Sequence, residues 1–337
     1  MSDRLVSAFL APRETINFVY GEEREQAIYR RTSPIRPCAI VEPNTMSDHF
    51  EELIEVDVLF STWGMPSLTA EQISTYFPRL KVLFYAAGSV QGFARPFIDH
   101  GVKIVSAWRA NAVSVAHFTV AQIVLSSKGY FRNTREYDGS QETYRNAFSG
   151  RGAYGETVGL LGAGAIGKRV IELLKPYDFK VIVWDPFLSN DAAVELGVDK
   201  VASIDEVFSR SYVVSNHLAD KDELAALIGE SLLSSLRPDA TFINTGRGRT
   251  VDQDALVKVL TARHDITALL DVTYPEPPGA GTPLMTLPNV HVSSHIAGTI
   301  GDEVRRMADV CIREFDRYVA GEPLEHEVLP ELLATMA

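Results

Sequence analysis

Val158-Gly159-Leu160-Leu161-Gly162-Ala163-Gly164-Ala165-Ile166-Gly167 is an apolar run that stops at a glycine and continues as G-x-G-x-x-G. Residues 168–175 behind it carry a helical pattern. The next apolar run, Val181-Ile182-Val183-Trp184, ends in Asp185-Pro186. A glycine motif alone says little, but a strand before it, a helix after it and an acid about twenty residues on make a dinucleotide-binding turn. Gly162 permits the tight turn, Gly164 lets a pyrophosphate approach the backbone, and Gly167 lets the helix pack closely on the strand. The first helical turn, from Ala165 and Ile166, offers unpaired N–H groups and the positive end of its dipole to phosphates. Asp185 would accept hydrogen bonds from both ribose hydroxyls of an adenosine and would repel a 2′-phosphate. NAD is therefore expected rather than NADP.

Outward from this turn the chain alternates short β-rich runs with helical patterns, as a parallel sheet wrapped by helices does. Strands are expected at 157–161, 180–184, 212–216, 241–244, 267–271 and 290–293, with helices at 166–175, 204–210 and 252–261. This is a complete doubly wound domain. The N-terminal third repeats the rhythm with strands at 39–41, 56–60, 81–85 and 103–106, and Thr69 with Gln72 forms a capping box opening a helix to about Tyr76. The fold class is thus α/β with two doubly wound, Rossmann-like domains. Two helical patterns, 111–128 and 301–319, read as crossings between them. The first domain is then discontinuous and flavodoxin-like, built from 1–115 and 301–337, and the NAD-binding domain is 116–300. Residues 133–155 read as an irregular loop.

Composition excludes several classes. The 337 residues are 46% hydrophobic and 23% charged, an ordinary globular balance, and a net charge of -12 disfavours nucleic acid or an anionic membrane as a partner. No stretch reads as apolar enough to span a bilayer. The N-terminus lacks the basic and apolar segments of a secretion signal, so a cytoplasmic protein is expected. The two cysteines, Cys38 and Cys311, have no metal-like spacing, and no metal is expected.

Three further segments follow strand ends, where open α/β sheets bind ligands. They are Asn244-Thr245-Gly246-Arg247-Gly248, Asp271-Val272-Thr273-Tyr274-Pro275-Glu276-Pro277 and Ser293-Ser294-His295-Ile296-Ala297-Gly298. An arginine, a carboxylate and a histidine arrive at one edge of one sheet. Reducing a 2-keto acid needs a hydride, a proton for the carbonyl oxygen and a cation for the carboxylate. His295 would exchange the proton, since histidine titrates near neutrality. Glu276 would orient the imidazole and favour its charged form. Arg247 would present a fork of donors to the carboxylate and keto oxygen, which lysine does less well.

With the mid-chain glycine motif, these segments resemble the D-isomer-specific 2-hydroxyacid dehydrogenase family over residues 81–317. The resemblance implies a hydride-transfer enzyme with Arg247, Glu276 and His295 as its catalytic residues. It implies a cofactor site of Gly162, Gly164, Ala165, Ile166, Gly167, Asp185, Pro186, His217, Thr245, Gly246, Arg247, Asp271, His295 and Gly298. Asp271 is expected there to bind the nicotinamide carboxamide and to matter more for cofactor placement than for proton transfer. It also implies a loop, Ala86-Ala87-Gly88-Ser89-Val90, whose backbone N–H groups bind the substrate carboxylate. Ala87, Gly88, Ser89, Asn111 and Arg247 are thus the substrate candidates, although Val90 stands where the family often has an acid. Trp63, Trp108 and Arg109 are candidates for the wall of the substrate cleft. A homodimer is implied as well.

A small 2-hydroxy or 2-keto acid such as glyoxylate or hydroxypyruvate is the expected substrate. Formate is disfavoured, because formate dehydrogenases of the superfamily carry glutamine at the Glu276 position. Phosphite, a phosphorylated hydroxy acid, and an NADH-sensing binding protein of the same fold remain alternatives.

Overall fold

The computed structural model describes residues 4–146 and 150–333. Contacts divide the chain into two compact units, residues 1–111 with 299–337 and residues 112–298. The breaks fall a few residues ahead of the boundaries at 115 and 300 read from the sequence.

The first unit holds strands β1 (Val6–Leu10), β2 (Ser33–Pro34), β3 (Ile40–Val41), β4 (Val58–Ser61), β5 (Val82–Tyr85) and β6 (Lys103–Ser106). They form one sheet in the order β2-β1-β4-β5-β6, with β3 pairing farther along β1, and every named pair is parallel. The period-2 geometry of strands sends alternate residues to opposite faces. Leu10, Leu59, Leu83 and Ile104 enter one apolar core, and Phe9, Phe60, Phe84 and Val105 enter the other. The second core is aromatic, with Phe60 stacked on Phe84 at 5.3 Å and both rings against Phe315.

Phe315 belongs to the helix Arg305–Ala320, which buries Met307, Ala308, Val310 and Cys311 in the same core. Arg24 and Arg31 pair with Asp309 and Asp316 along its flank, at 2.7 and 2.8 Å. After the helix, the buried Glu314 carboxylate accepts the N–H groups of Glu325 and His326 at 2.9 and 3.1 Å. The chain then bridges β6 in antiparallel sense at Val105 and Glu327.

The second unit contains β7 (Thr157–Leu161), β8 (Lys180–Trp184), β9 (Asp199–Lys200), β10 (Val213–Asn216), β11 (Thr241–Asn244), β12 (Thr267–Leu270) and β13 (Val290–Val292). Their order is β13-β12-β11-β10-β7-β8-β9, again all parallel. The order reverses between β7 and β10, so the turn after β7 opens at the topological switch point of a doubly wound sheet.

Several expectations change. β1 and the helices Arg13–Val19 and Gly21–Arg31 precede the first strand read from the sequence, and β9 is an added edge strand. The stretch read as an irregular loop overlaps the end of the helix Tyr130–Glu136 and holds the helix Gln141–Asn146, while residues 147–149 lie outside the described residues. The helix Trp108–Ser127 has twenty residues and a mean hydropathy of 1.2, enough by length and composition to cross a bilayer. More than half of it is buried within the protein, and Ala116, Val120 and Ile123 pack into the core beside β7 and β10.

Candidate active site

The glycine-rich turn is built as its sequence demands. Gly162 sits at φ +93°, in the left-handed region, and a Cβ there would come within 3.1 Å of the His217 carbonyl. A Cβ on Gly167 would overlap the Gly162 carbonyl, which is the close helix-to-strand approach the third glycine allows. A Cβ on Gly164, by contrast, would meet nothing within 4 Å. Gly164 precedes the helix Ala165–Leu174, whose first turn has no side-chain cap. Open space at an uncapped helix N-terminus is what a pyrophosphate needs, so these residues fit a dinucleotide.

Asp185 lies at the end of β8, as expected, but its oxygens are already partly engaged. Oδ2 accepts the Ala163 N–H at 2.6 Å, and Oδ1 accepts those of Phe187 and Leu188 at 2.7 and 3.2 Å. The carboxylate ties the glycine turn to the following loop, and Oδ2 keeps one further acceptor position. Pro186 is exposed beside it.

His217 follows β10. Its Nε2 lies 3.0 Å from the Ser215 hydroxyl, its Nδ1 is buried without a partner among the described residues, and burial pushes its pKa down to about 4. Thr245 and Gly246 follow β11, the Thr245 hydroxyl lying 3.0 Å from that of Thr119. Nearby, Asn216 Nδ2 donates to Asn244 Oδ1 and Thr250 Oγ1 at 3.0 and 2.8 Å, which locks the ends of two strands together.

Arg247 is half-buried, and its Nη1 donates to the Gly246 carbonyl at 2.8 Å. Burial lowers its pKa, while the Asp220 and Glu276 carboxylates act in the opposite direction. Among the described residues no carboxylate lies within ion-pair distance of it, so a partly desolvated cation keeps donors to spare. A Cβ on Gly248 would overlap the Thr273 backbone, so the segments after β11 and β12 touch main chain to main chain.

His295 and Glu276 come together: Nδ1 of the imidazole lies 2.6 Å from Oε1 of the carboxylate. An ionised carboxylate only accepts, so the imidazole donates from Nδ1 and its Nε2 stays outside this contact. Both side chains are partly exposed, at 49% and 40%. His295 adopts φ +61°, a left-handed conformation that non-glycine residues seldom take.

Asp271 supplies the reason. It is 2% exposed, and its carboxylate accepts the Ser293 hydroxyl at 2.7 Å and the Ile296 and Ala297 N–H groups, both at 2.9 Å. The residue expected to bind the nicotinamide carboxamide thus also anchors, through both carboxylate oxygens, the loop that carries His295. Gly298 closes that loop, half-buried.

The remaining candidates belong to the first unit. Ala87 is buried, Gly88 half-buried and Ser89 exposed after β5, and the Ser106 hydroxyl donates to the Gly88 carbonyl at 2.6 Å. A Cβ on Gly88 would lie 3.6 Å from Asn111 Nδ2, while Asn111 Oδ1 accepts both the N–H and the hydroxyl of Thr299. Val90 is a core residue, fully buried in a cluster with Ala87, Phe93 and Ala94. Arg109 lies over the Trp108 ring at 4.9 Å, and Trp63 is 37% exposed. Two groups beside Arg247 were not read from the sequence, Asp220 and Arg249, since the fold brings them together from 29 residues apart.

Residues 120–297 match the profile of the D-isomer specific 2-hydroxyacid dehydrogenase NAD binding domain. The chain is 26% identical over 285 residues to D-3-phosphoglycerate dehydrogenase of Methanocaldococcus jannaschii, covering 84% of this chain and 54% of the relative. It is 31% identical over 225 residues to the enzyme of that name from Mycobacterium tuberculosis H37Rv, covering 66% and 42%. The chain thus spans about half the length of the curated relatives it matches. The apo structure of Rhodotorula graminis D-mandelate dehydrogenase superposes with a TM-score of 0.78 at 19% identity, over 97% of this chain and 98% of the other.

Proposed function

Since the chain belongs to the D-isomer specific 2-hydroxyacid dehydrogenase family, we propose that it transfers a hydride between NAD(H) and a small 2-hydroxy or 2-keto acid. One observation carries the reading: an imidazole held by a carboxylate at 2.6 Å shares a sheet edge with a half-buried arginine that has no carboxylate partner among the described residues. General acid-base catalysis needs the first, and binding an anionic substrate needs the second.

In this reading Arg247 binds the substrate carboxylate and turns a donor toward the keto oxygen. His295 Nε2 gives its proton to that oxygen as the carbonyl carbon is reduced, and takes a proton back in the reverse reaction. Glu276 holds Nδ1 and balances the imidazolium charge. Asp185 and the turn from Gly162 to Gly167 hold the dinucleotide, with Pro186, His217, Thr245, Gly246 and Gly298 lining its site. The bound nicotinamide supplies the hydride. Gly88, Ser89 and Asn111 are proposed to bind the carboxylate side of the substrate. Asp185 favours NAD over NADP, because a 2′-phosphate would meet its negative charge. A homodimer follows from the family resemblance. Glyoxylate and hydroxypyruvate lead among substrates.

The test is NADH oxidation at neutral pH with glyoxylate, hydroxypyruvate, pyruvate, phenylpyruvate and 2-ketoisocaproate, beside His295→Ala and a parallel NADPH series. Turnover that collapses in the variant supports the reading. Tight NADH binding without turnover of any of the five acids overturns it.

A further inference from the structure

The segment after β11 carries two arginines two residues apart, and the protein treats them differently. Arg249 is paired with two acids: Nε donates to Asp220 Oδ1 at 2.7 Å and Nη1 to Asp222 Oδ1 at 2.8 Å. Among the described residues Arg247 has only the Gly246 carbonyl. The backbone before Arg247 lies against the end of β10 and the segment that follows it, since a Cβ on Gly246 would come within 3.1 Å of the Asn216 carbonyl and 3.3 Å of the Leu218 carbonyl. The Asp220 carboxylate therefore sits beside a turn that offers two guanidinium groups. Its field reaches Arg247 as well as Arg249.

An internal carboxylate has a large advantage over a dissolved one. It is already at the site and gives up no translational freedom on pairing. A pocket that must bind and release an anion through Arg247 has to keep its own acids elsewhere. Arg249 is placed to keep Asp220 there. The Ala226 N–H donates to its carbonyl at 2.9 Å and the Ile228 N–H to the Thr250 carbonyl at 3.0 Å, which fixes its backbone. Its side chain is 28% exposed and that of Asp220 41%, whereas Asp222 is 97% exposed and its pairing is largely screened.

We propose that Arg249 is a positioning residue that holds Asp220 in an ion pair, keeps that carboxylate off Arg247, and so leaves the Arg247 guanidinium free for an anionic substrate. This rests on the reading of Arg247 as the partner of the substrate carboxylate.

The experiment measures binding of oxamate, a non-reducible mimic of a 2-keto acid, to the NADH-loaded full chain by calorimetry. It compares Arg249→Ala, Asp220→Asn, the double variant and Arg247→Ala with the unsubstituted protein. Arg249→Ala is expected to weaken oxamate binding about tenfold, and the double variant to return it to within about twofold. NADH affinity stays constant across Arg249→Ala, Asp220→Asn and their combination. With the keto acids that turn over, the same pattern appears in KM rather than kcat.

Oxamate binding unchanged in Arg249→Ala overturns the proposal. So does a double variant as weak as the single, which would make Arg249 a brace for the loop and nothing more. If Arg247→Ala loses oxamate while Arg249→Ala does not, the proposal fails and the reading of Arg247 stands. If the unsubstituted protein and Arg247→Ala bind oxamate equally, both fall together.

Discussion

Asp271 holds His295 twice over: its main-chain oxygen accepts the His295 N–H at 2.9 Å, and its carboxylate accepts three groups from the same loop. A left-handed histidine costs on the order of 1–3 kcal/mol and persists only where its surroundings over-determine it. Asp271→Ala removes the acceptor for Ser293, Ile296 and Ala297. We expect it to lower kcat by at least about tenfold and to reduce the melting temperature, because buried donors left unpaired cost roughly 1–3 kcal/mol each. Asp271→Asn should fall between, since one oxygen remains. Full activity in Asp271→Ala, measured with the best keto acid, would show that the loop holds its shape unaided.

Glu276→Gln keeps an acceptor for the imidazole but removes the charge. A loss in kcat of about ten- to a hundredfold is expected with little change in KM for NADH, since general acid-base groups contribute about 10²–10⁴-fold in total. The steady-state rate with the best keto acid at neutral pH, beside the Kd for NADH, is the measurement. An unchanged kcat would count against Glu276 as the partner of the working imidazole.

Asp185→Ser removes both the charge that would oppose a 2′-phosphate and the acceptor for the Ala163 N–H. The ratio of kcat/KM for NADH to that for NADPH should shrink by about tenfold or more, since one charge-assisted interaction is worth roughly 1.5–3 kcal/mol. NADH binding should weaken too, because the glycine turn loses its tether. A ratio unaffected by the substitution would place cofactor choice elsewhere.

His217 makes stability depend on pH. In the unfolded chain a histidine takes up a proton below about 6.5, whereas burial holds this one neutral until about 4. The unfolded state binds more protons between these values. The histidine's contribution is therefore intact above about pH 6.5 and drains away as pH falls toward about 4, by roughly 3 kcal/mol at most. Urea melts at about pH 7 and about pH 5 should differ more in the unsubstituted protein than in His217→Gln.

Gly248→Ala would drive a methyl group into the Thr273 backbone. Main chain cannot move aside as a side chain can, and a destabilisation of about 3 kcal/mol or more is expected. The denaturant midpoint should fall, and activity with it, because the contact aligns the segments bearing Arg247 and Glu276. A midpoint within error of the unsubstituted protein would mean that the two segments separate freely.

What the sequence made legible followed from chemistry that tolerates few substitutes. Only glycine serves at Gly162 and Gly167, and the spacing of the two to Asp185 repeats the geometry of the turn. The strands of the second unit stood out because Val, Ile and Leu runs end in turn residues. β1 was missed because Ser7 and Ala8 interrupt its apolar character although every residue from Ser7 to Leu10 is buried. β9 consists of two exposed charged residues and carries no apolar signal. The engaged carboxylates were beyond reach for another reason. Asp271 meets its loop across 22 to 26 residues, and Asp220 meets Arg249 across 29. Such pairings are decided by the order of strands in the sheet, not by any local pattern.

The first unit is assembled from two stretches with the whole of the second unit between them. A chain leaving the ribosome N-terminus first presents Phe9, Phe60 and Phe84 long before Met307 and Phe315 exist to cover them. The continuous second unit can finish folding in that interval as an independent body. Ile16, Val19, Tyr20 and Ile28 cover part of that aromatic face early, but the part that Met307 and Phe315 cover must wait, and in that interval a nascent chain of this design is most exposed to aggregation.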